Sequence, residues 1–337
     1  MTRKLATVRK IREILPINGA DNIELALVDG WEVVVNKGIY GKDELVVYLE
    51  LDSWVPTAVA PFLTKTGKEP SVYNGIPGER LRTIKLRKQV SQGLIPFHAP
   101  CGSNVGDDLS ESLNITKWER PEEFLPSNAK GHFPTFIPKT SQERVQNLEL
   151  HDGIRNQSYE VTEKLHGSSI TVYIKDGVVG VCSRNFEIKQ EDSGTFWQAA
   201  ENANLPDAIT EMSEELGVDL AVQGELCGPG INGNMYMLPF HKIYVFDIYD
   251  ITSQRYLLPE ERLGLMQDFL LDVSHAPVIY SDEVLGFEVT NKDLLKMADG
   301  ESQIEEGVIR EGLVFKSTTT DFSFKAVSNN WLYKTGE

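Results

Sequence analysis

Turn signals cut the first hundred residues into short β-rich pieces, and this limits the possible folds more than any other feature. In "GADNIELALVDGWEVVVNKGIYGKDELVVYLELDSWVP" the runs "IELALVDG", "WEVVVNK" and "ELVVYLEL" are split by Asp-Gly, Lys-Gly and Gly-Lys. Val, Ile, Leu and Tyr in such runs suit a half-buried pleated surface, and the glycines punctuate them. Residues 3–12 alternate and predict another strand, and "ERLRTIKLRKQVSQGLIPF" predicts two more. About five short strands without a long amphipathic helix predict a small all-β, OB-like barrel over residues 1–116.

The pattern changes downstream. Residues 117–140 hold four prolines and few periodic runs, and predict an extended connector. "SQERVQNL", at 141–148, predicts a short helix capped by Ser141, so that the connector runs over 117–150. Beyond it, strands are expected at 158–163, 169–175, 178–183, 220–226, 242–249, 276–281, 308–316 and 322–327. Helices are expected at 192–203, 206–217, 259–270 and 289–298. Strands that do not alternate with single helices predict an α+β domain of antiparallel sheets over 151–337, not a doubly wound one.

A length of 337 residues suits about two domains, and the charge divides along the same line. Residues 1–150 hold 19 Lys+Arg and 19 Asp+Glu, whereas residues 151–337 hold 14 and 31, the whole of the −17. Two halves so different predict two jobs. The first half also carries "GERLRTIKLRKQVSQG", a local cluster of Arg80, Arg82, Lys85, Arg87 and Lys88. Local clusters govern contact where net charge governs approach, so an acidic protein can still bind a polyanion through one face. Cys101, Cys182 and Cys227 are odd in number and widely spaced, with neither a zinc pattern nor a disulfide framework, which suits a reducing cytosol. The N-terminus lacks an apolar signal-peptide core, and no apolar run approaches membrane-spanning length, so a cytoplasmic protein without a membrane partner is expected.

Chemistry concentrates at "VTEKLHGSSITVYIKDG", residues 161–177. Lys164 precedes a turn at Gly167 and two serines, between two β runs. A lysine acts as a nucleophile only when unprotonated, so burial or nearby cations must lower its pKa. Gly167 would let the backbone approach a phosphate. Taken singly, a Lys-x-x-Gly is an ordinary surface turn. Glu225 in "VQGELCGPG" follows a strand and enters a Gly-rich turn. Phe246 lies in "IYVFDIYD", Glu311 and Lys316 in "REGLVFK", and Lys325 in "FSFKAVS". Odd spacing on a strand puts Glu311 and Lys316 on opposite faces unless a bend intervenes. Alone, each of these has an ordinary structural explanation: strand-end carboxylates, a core phenylalanine, and a solvated arginine at Arg184.

The order Lys-x-x-Gly, Gly-Glu, an aromatic strand, Glu-Gly-x-Val-x-Lys and Phe-Lys resembles the covalent nucleotidyltransferases that include polynucleotide ligases and capping enzymes. "EKLHGSS", "GELCGPGI", "YVFDIYD" and "EGLVFK" look most like RNA ligases. His166 stands where many members have Asp, as in phage-type nick-sealing RNA ligases. "ADNIELALVDGWEVVVNKG", "VSQGLIPF" and "FPTFIPKTSQERVQN" resemble the Naegleria/Deinococcus-type RNA ligases, in which an OB domain precedes the catalytic one. The chain ends about twelve residues past Lys325, so no downstream OB domain is expected.

This resemblance implies an adenylyltransferase ligase fold with ATP-grasp-like antiparallel sheets, and an ATP-dependent RNA ligase. Lys164 would take AMP from ATP and pass it to an RNA 5′-phosphate, and a 3′-hydroxyl would then displace it, at nicks in duplex RNA and in a monomer. Lys316 and Lys325 would bind the α-phosphate, Arg184 the RNA 5′-phosphate or the nucleotide, and Phe246 would stack on adenine. Glu163 would border the adenine. Glu225 would hold the ribose or a metal-bound water, and Glu311 would hold Mg2+ through water, with Mn2+ as a substitute. His166 is expected as a turn residue, and Asp247 is left without a role. Many ligases carry Lys-x-Lys in the last motif, but Ser323 takes the first lysine position here. A capping-type guanylyltransferase, a DNA ligase, and a non-catalytic RNA-binding protein with a decayed ligase domain remain as alternatives.

Overall fold

A computed structural model describes residues 4–119, 126–190 and 194–335. The chain divides into two compact units, Met1–Glu122 with Leu332–Glu337, and Glu123–Trp331. The first residue of the strand expected at 3–12 and the first two of the helix expected at 192–203 lie outside the described residues.

In the first unit, β1 (Ala6–Pro16), β2 (Ile23–Val28), β3 (Trp31–Asn36) and β4 (Leu45–Leu49) form an antiparallel sheet in the order β3-β2-β1-β4. Then come β5 (Ser53–Pro56), β6 (Ser71–Tyr73), β7 (Ile76–Arg80), β8 (Ile84–Leu86), β9 (Gln89–Ser91) and β10 (Thr116–Lys117). A second sheet runs β10-β5-β7-β6, and β8 and β9 pair as a separate hairpin. Alternation sets the core: Trp31, Val33 and Val35 of β3 are buried while the residues between them are only partly so. With Ile11, Val46 and Tyr48 they close one apolar cluster, in which Trp31 stacks on Tyr48 at 5.9 Å. Each such side chain contributes about 1.5–3 kcal/mol by leaving water. This all-β unit has more strands than the five expected. The extra ones are two to five residues long, too short to show a hydrophobic period. A usable signal did exist for β6 and β7. Asn74 and Gly75, at φ 50° and 77°, form the two-residue turn that joins them.

The second unit contains β11 (Ala129–His132), β12 (Glu143–Arg144), α1 (Asp152–Arg155), β13 (Ser158–Lys164), β14 (Ser168–Lys175), β15 (Val178–Cys182) and β16 (Phe186–Ile188). There follow α2 (Thr195–Asn202), α3 (Leu205–Leu216), β17 (Leu220–Cys227), β18 (Lys242–Asp250), β19 (Arg255–Tyr256) and α4 (Pro259–Phe269). Last come β20 (Ser274–His275), β21 (Val278–Val284), α5 (Asn291–Ala298), β22 (Gly312–Ser317) and β23 (Ser323–Val327).

One sheet has the order β11-β16-β15-β14-β17-β18-β19, with β20 on β18, and the other β12-β23-β22-β13-β21. Pairing is antiparallel except β12 with β23 and β18 with β20. Helices α2, α3 and α4 cover one face of the larger sheet, where Trp197, Ile209, Met212 and Met266 pack on Ile170, Val172 and Val245. Helix α5 covers the smaller sheet, where Leu294, Leu295 and Ala298 meet Tyr159, Phe315 and Phe324. Thr290 caps α5 by accepting from the Asp293 amide, and the Asp293 carboxylate accepts from Thr290 in return.

Two expectations for 117–150 need correction. The stretch is more than a connector, since Ala129–His132 and Glu143–Arg144 are edge strands of the two sheets. The helix expected at 141–148 is instead β12 followed by one 3-10 turn, Val145–Asn147. Val145 and Gln146 are fully buried, and pairing of Glu143–Arg144 with β23 overrides the local helical pattern.

Candidate active site

Both sheets of the second unit line one cavity of about 390 Å3. Lys164 ends β13 on its wall, opposite Gly312 of β22. The next three residues turn the chain into β14, and three bonds hold that turn. The His166 amide donates to Tyr236 Oη at 2.9 Å, the Gly167 amide donates to Glu225 Oε1 at 2.9 Å, and Asn232 Nδ2 donates to the Gly167 carbonyl at 2.6 Å. Gly167 is required by close approach: a Cβ there would lie 2.4 Å from the Leu226 carbonyl oxygen and 2.8 Å from Glu225 Cγ. At this turn the backbone was expected to approach a phosphate. In this structure the amide is committed to a carboxylate.

Lys164 Nζ lies 2.6 Å from Glu311 Oε1, and His166 Nδ1 lies 3.7 Å from Glu311 Oε2. Burial pushes the Glu311 carboxyl up, but Lys164 and then His166 outweigh it and hold it below the usual range. Glu225 goes the other way. Burial raises it to about 7, against the opposing pull of Lys164. Glu311 and Lys316 both reach the site because Glu311 lies outside the alternation of β22. Glu311 precedes β22, and Gly312 has φ 159° with the Ala326 carbonyl oxygen 2.2 Å from where a Cβ would sit. Only glycine fits there, so Glu311 meets Lys164 while Val314 and Lys316 line the cavity.

The far wall is built on a β-bulge. Gly224 pairs with Val245 and Gln223 with Asp247, so Phe246 is the extra residue of β18. A bulge re-aims side chains, and here Phe246 lines the cavity while its carbonyl and the Asp247 carboxylate both face Lys316. Lys316 Nζ donates to Asp247 Oδ1 at 2.6 Å and to the Phe246 carbonyl, and lies 5.3 Å from the Phe246 ring centre. Burial lowers the Lys316 pKa, and Asp247 works against that. Behind Asp247, Arg262 of α4 is wholly buried. It donates to Glu160 Oε2 of β13 and, at 3.1 Å, to His275 Nε2, and lies 3.8 Å from Asp247 Oδ1. One buried ionic network thus ties both sheets to α4.

Eight of the nine expected residues line the cavity: Glu163, Lys164, Gly167, Arg184, Glu225, Phe246, Lys316 and Lys325. The ninth, Glu311, is the ion-pair partner of Lys164. Arg184 is exposed at the rim. Glu163 is 2% exposed, and its Oε2 accepts from the Gln303 amide at 2.8 Å, while burial raises its pKa. The sequence reading missed Asp247, Glu160, Arg262, Asn232, Tyr236 and the segment 140–142. Asp247 was in view beside Phe246, but a regular strand would have turned it away. Nothing local signals the others, because their partners lie far along the chain.

Among the described residues no three His, Cys, Asp or Glu side chains cluster as a complete metal cage. Glu225 and Glu311 with adjacent open volume suit a hard cation that keeps most of its water and leans on phosphate oxygens, as Mg2+ does. The donor set therefore fits such an ion together with a nucleotide. No helix among the described residues is long and apolar enough to cross a membrane.

An RNA ligase family model matches residues 157–327, and an OB-fold domain model matches residues 5–97. A search of curated proteins finds no match. Solved structures of Naegleria gruberi RNA ligase are similar throughout. A lysine-to-methionine variant with AMP and Mn is 43% identical, with 99% of each chain covered and a TM-score of 0.85. A lysine-to-alanine variant with ATP and Mn is 42% identical over the same shares, with a TM-score of 0.85. The enzyme with PPi is 43% identical, again over 99% of each chain, with a TM-score of 0.83. The first unit is an OB fold and the second a nucleotidyltransferase fold, and a family model over half the chain, with relatives this close along nearly all of it, makes the chain a member of the RNA ligase family.

Proposed function

We propose that the protein is an ATP-dependent RNA ligase that joins 3′-hydroxyl to 5′-phosphate ends at nicks in duplex RNA, acting as a monomer through an AMP adduct on Lys164. The supporting observation is the setting of Lys164: an amine on the wall of a cavity that also holds Phe246, Lys316, Lys325, Arg184 and two carboxylates. Glu311 holds that amine as one half of an ion pair. Attack requires that Lys164 leave Glu311 and lose its proton. A divalent cation held by Glu225 and Glu311 would neutralise phosphate charge in the bound nucleotide.

The Lys164 nitrogen then bonds the α-phosphorus while the bond to the β-phosphate oxygen breaks, releasing pyrophosphate. In the second step an RNA 5′-phosphate oxygen displaces the lysine nitrogen, and in the third a 3′-hydroxyl displaces AMP and forms the phosphodiester. Each step depends mostly on position and charge, which fixed cationic side chains supply. Lys325 and Lys316 serve the α-phosphate, Arg184 the RNA phosphate or the nucleotide, and Glu163 and Phe246 the base. Lys316 is held by Asp247, so it contributes a fixed donor rather than a mobile charge.

The test is incubation of the protein with labelled ATP and Mg2+, expected to leave label on the chain, and none on Lys164→Ala. No adduct on the wild type, or an undiminished one on the variant, refutes the proposal. GTP in place of ATP and DNA in place of RNA strands separate a capping enzyme and a DNA ligase, and salt-dependent RNA binding without an adduct would mark a decayed domain.

A further inference from the structure

The hairpin β8–β9 stands apart from the two sheets of the first unit, and its stem is fixed to β3. Gln89 Nε2 donates to Glu32 Oε2 at 2.7 Å, the Val34 amide to Ser91 Oγ at 3.0 Å, and the Gln92 amide to the Glu32 carbonyl at 2.7 Å. Leu86 pairs with Gln89, so the loop is two residues, Arg87 and Lys88, at φ 50° and 70°. A two-residue loop with both residues left-handed normally takes Asn-Gly, because a Cβ is disfavoured there. This chain places two long cations at the strained positions instead. Strain kept at such a point is a pointer to function. Arg82, Arg87 and Lys88 are all exposed, and among the described residues none is in an ion pair. Ile84 and Leu86, 50% and 39% exposed, lie on the same hairpin.

We infer that this hairpin tip is a phosphate grip for duplex RNA, with Arg87 and Lys88 on the backbone and Arg82 beside them. The occupant follows from charge. The second half of the sequence carries the whole −17 and repels polyanions at long range, so local cations in the neutral first half are the better source of attraction for a duplex. A-form RNA offers its phosphates across a wide, shallow minor groove that a two-stranded hairpin with an aliphatic face can enter. The inference rests on the RNA ligase reading above.

Its test uses Arg87→Asn/Lys88→Gly in the full chain. This pair gives the turn its preferred residues and removes both charges, so the variant should melt no lower than the wild type. Binding to a nicked RNA duplex should lose a salt slope of about 1.8, so that its advantage over the variant falls roughly tenfold between 50 and 200 mM salt. Sealing at low RNA should drop by a similar factor and recover at saturating RNA, while label transfer from ATP to the protein stays at the wild-type level. An unchanged salt slope and unchanged sealing overturn the hairpin assignment, as does a loss confined to single-stranded RNA. Absence of the adduct on the wild type would instead refute the ligase reading itself.

Discussion

Replacing Arg262 with methionine removes a charge that nothing else can supply. Arg262 is 0% exposed and Glu160 is 1% exposed, so water cannot replace the lost partner. Glu160 Oε1 already has no hydrogen-bond partner among the described residues, and Oε2 would lose its own. Breaking a buried pair from one side costs about 3–5 kcal/mol. For a unit of this size that lowers the melting midpoint by about 6–20 °C. Arg262→Met/Glu160→Met removes both charges and should cost less than Arg262→Met alone, giving a coupling of about 2 kcal/mol or more. Asp247 keeps Lys316 in both variants. The assay is calorimetry, with the transition of the second unit assigned as the one that Mg2+–ATP raises. A loss below about 1 kcal/mol for Arg262→Met, or a double variant that costs the sum of the singles, refutes the view that this network is a closed ionic unit.

Three further outcomes are expected. His275 is pushed down to about 4 by burial and then by Arg262, so the stability it lends is present above its ordinary 6.5 and is lost as pH falls toward 4; unfolding should show a loss of about 2 kcal/mol between pH 7 and pH 5 that His275→Gln flattens. Gly167→Ala should abolish adduct formation by driving the turn off β17, and a variant with full activity would show that the close approach to Leu226 is dispensable. Phe246→Leu should raise KM for ATP about tenfold with little change for Phe246→Tyr, read in initial rates of pyrophosphate release; equal KM values for both would remove the ring from base binding.

Much of the fold was legible because it depends on local periods. Strands with a clear alternation or apolar run, such as β3, β14 and β18, fell where expected, and so did α3, α4 and α5. Short strands such as β6, β10, β16 and β19 carry no period and were invisible, and β12 even read as helix until its pairing with β23 overrode the local pattern. The residues named for the site each sit beside a glycine, at a strand end or in a distinctive run, and the fold brings them to one cavity. Those missed are held by partners far away in sequence. Arg262 meets Glu160 across 102 residues, and Tyr236 meets the His166 amide across 70.

By itself the sequence determined two units of different charge, β-rich and mixed, and the residue types for nucleotidyl transfer. Tertiary structure alone decided what those residues face. Lys164 is paired with Glu311, Gly167 points at Glu225, and Lys316 is tied to Asp247 through the bulge at Phe246. The reason is that side-chain identity and local period act over a few residues, whereas burial and charge pairing depend on which strands meet, and a one-residue bulge turns a side chain from one face of a sheet to the other.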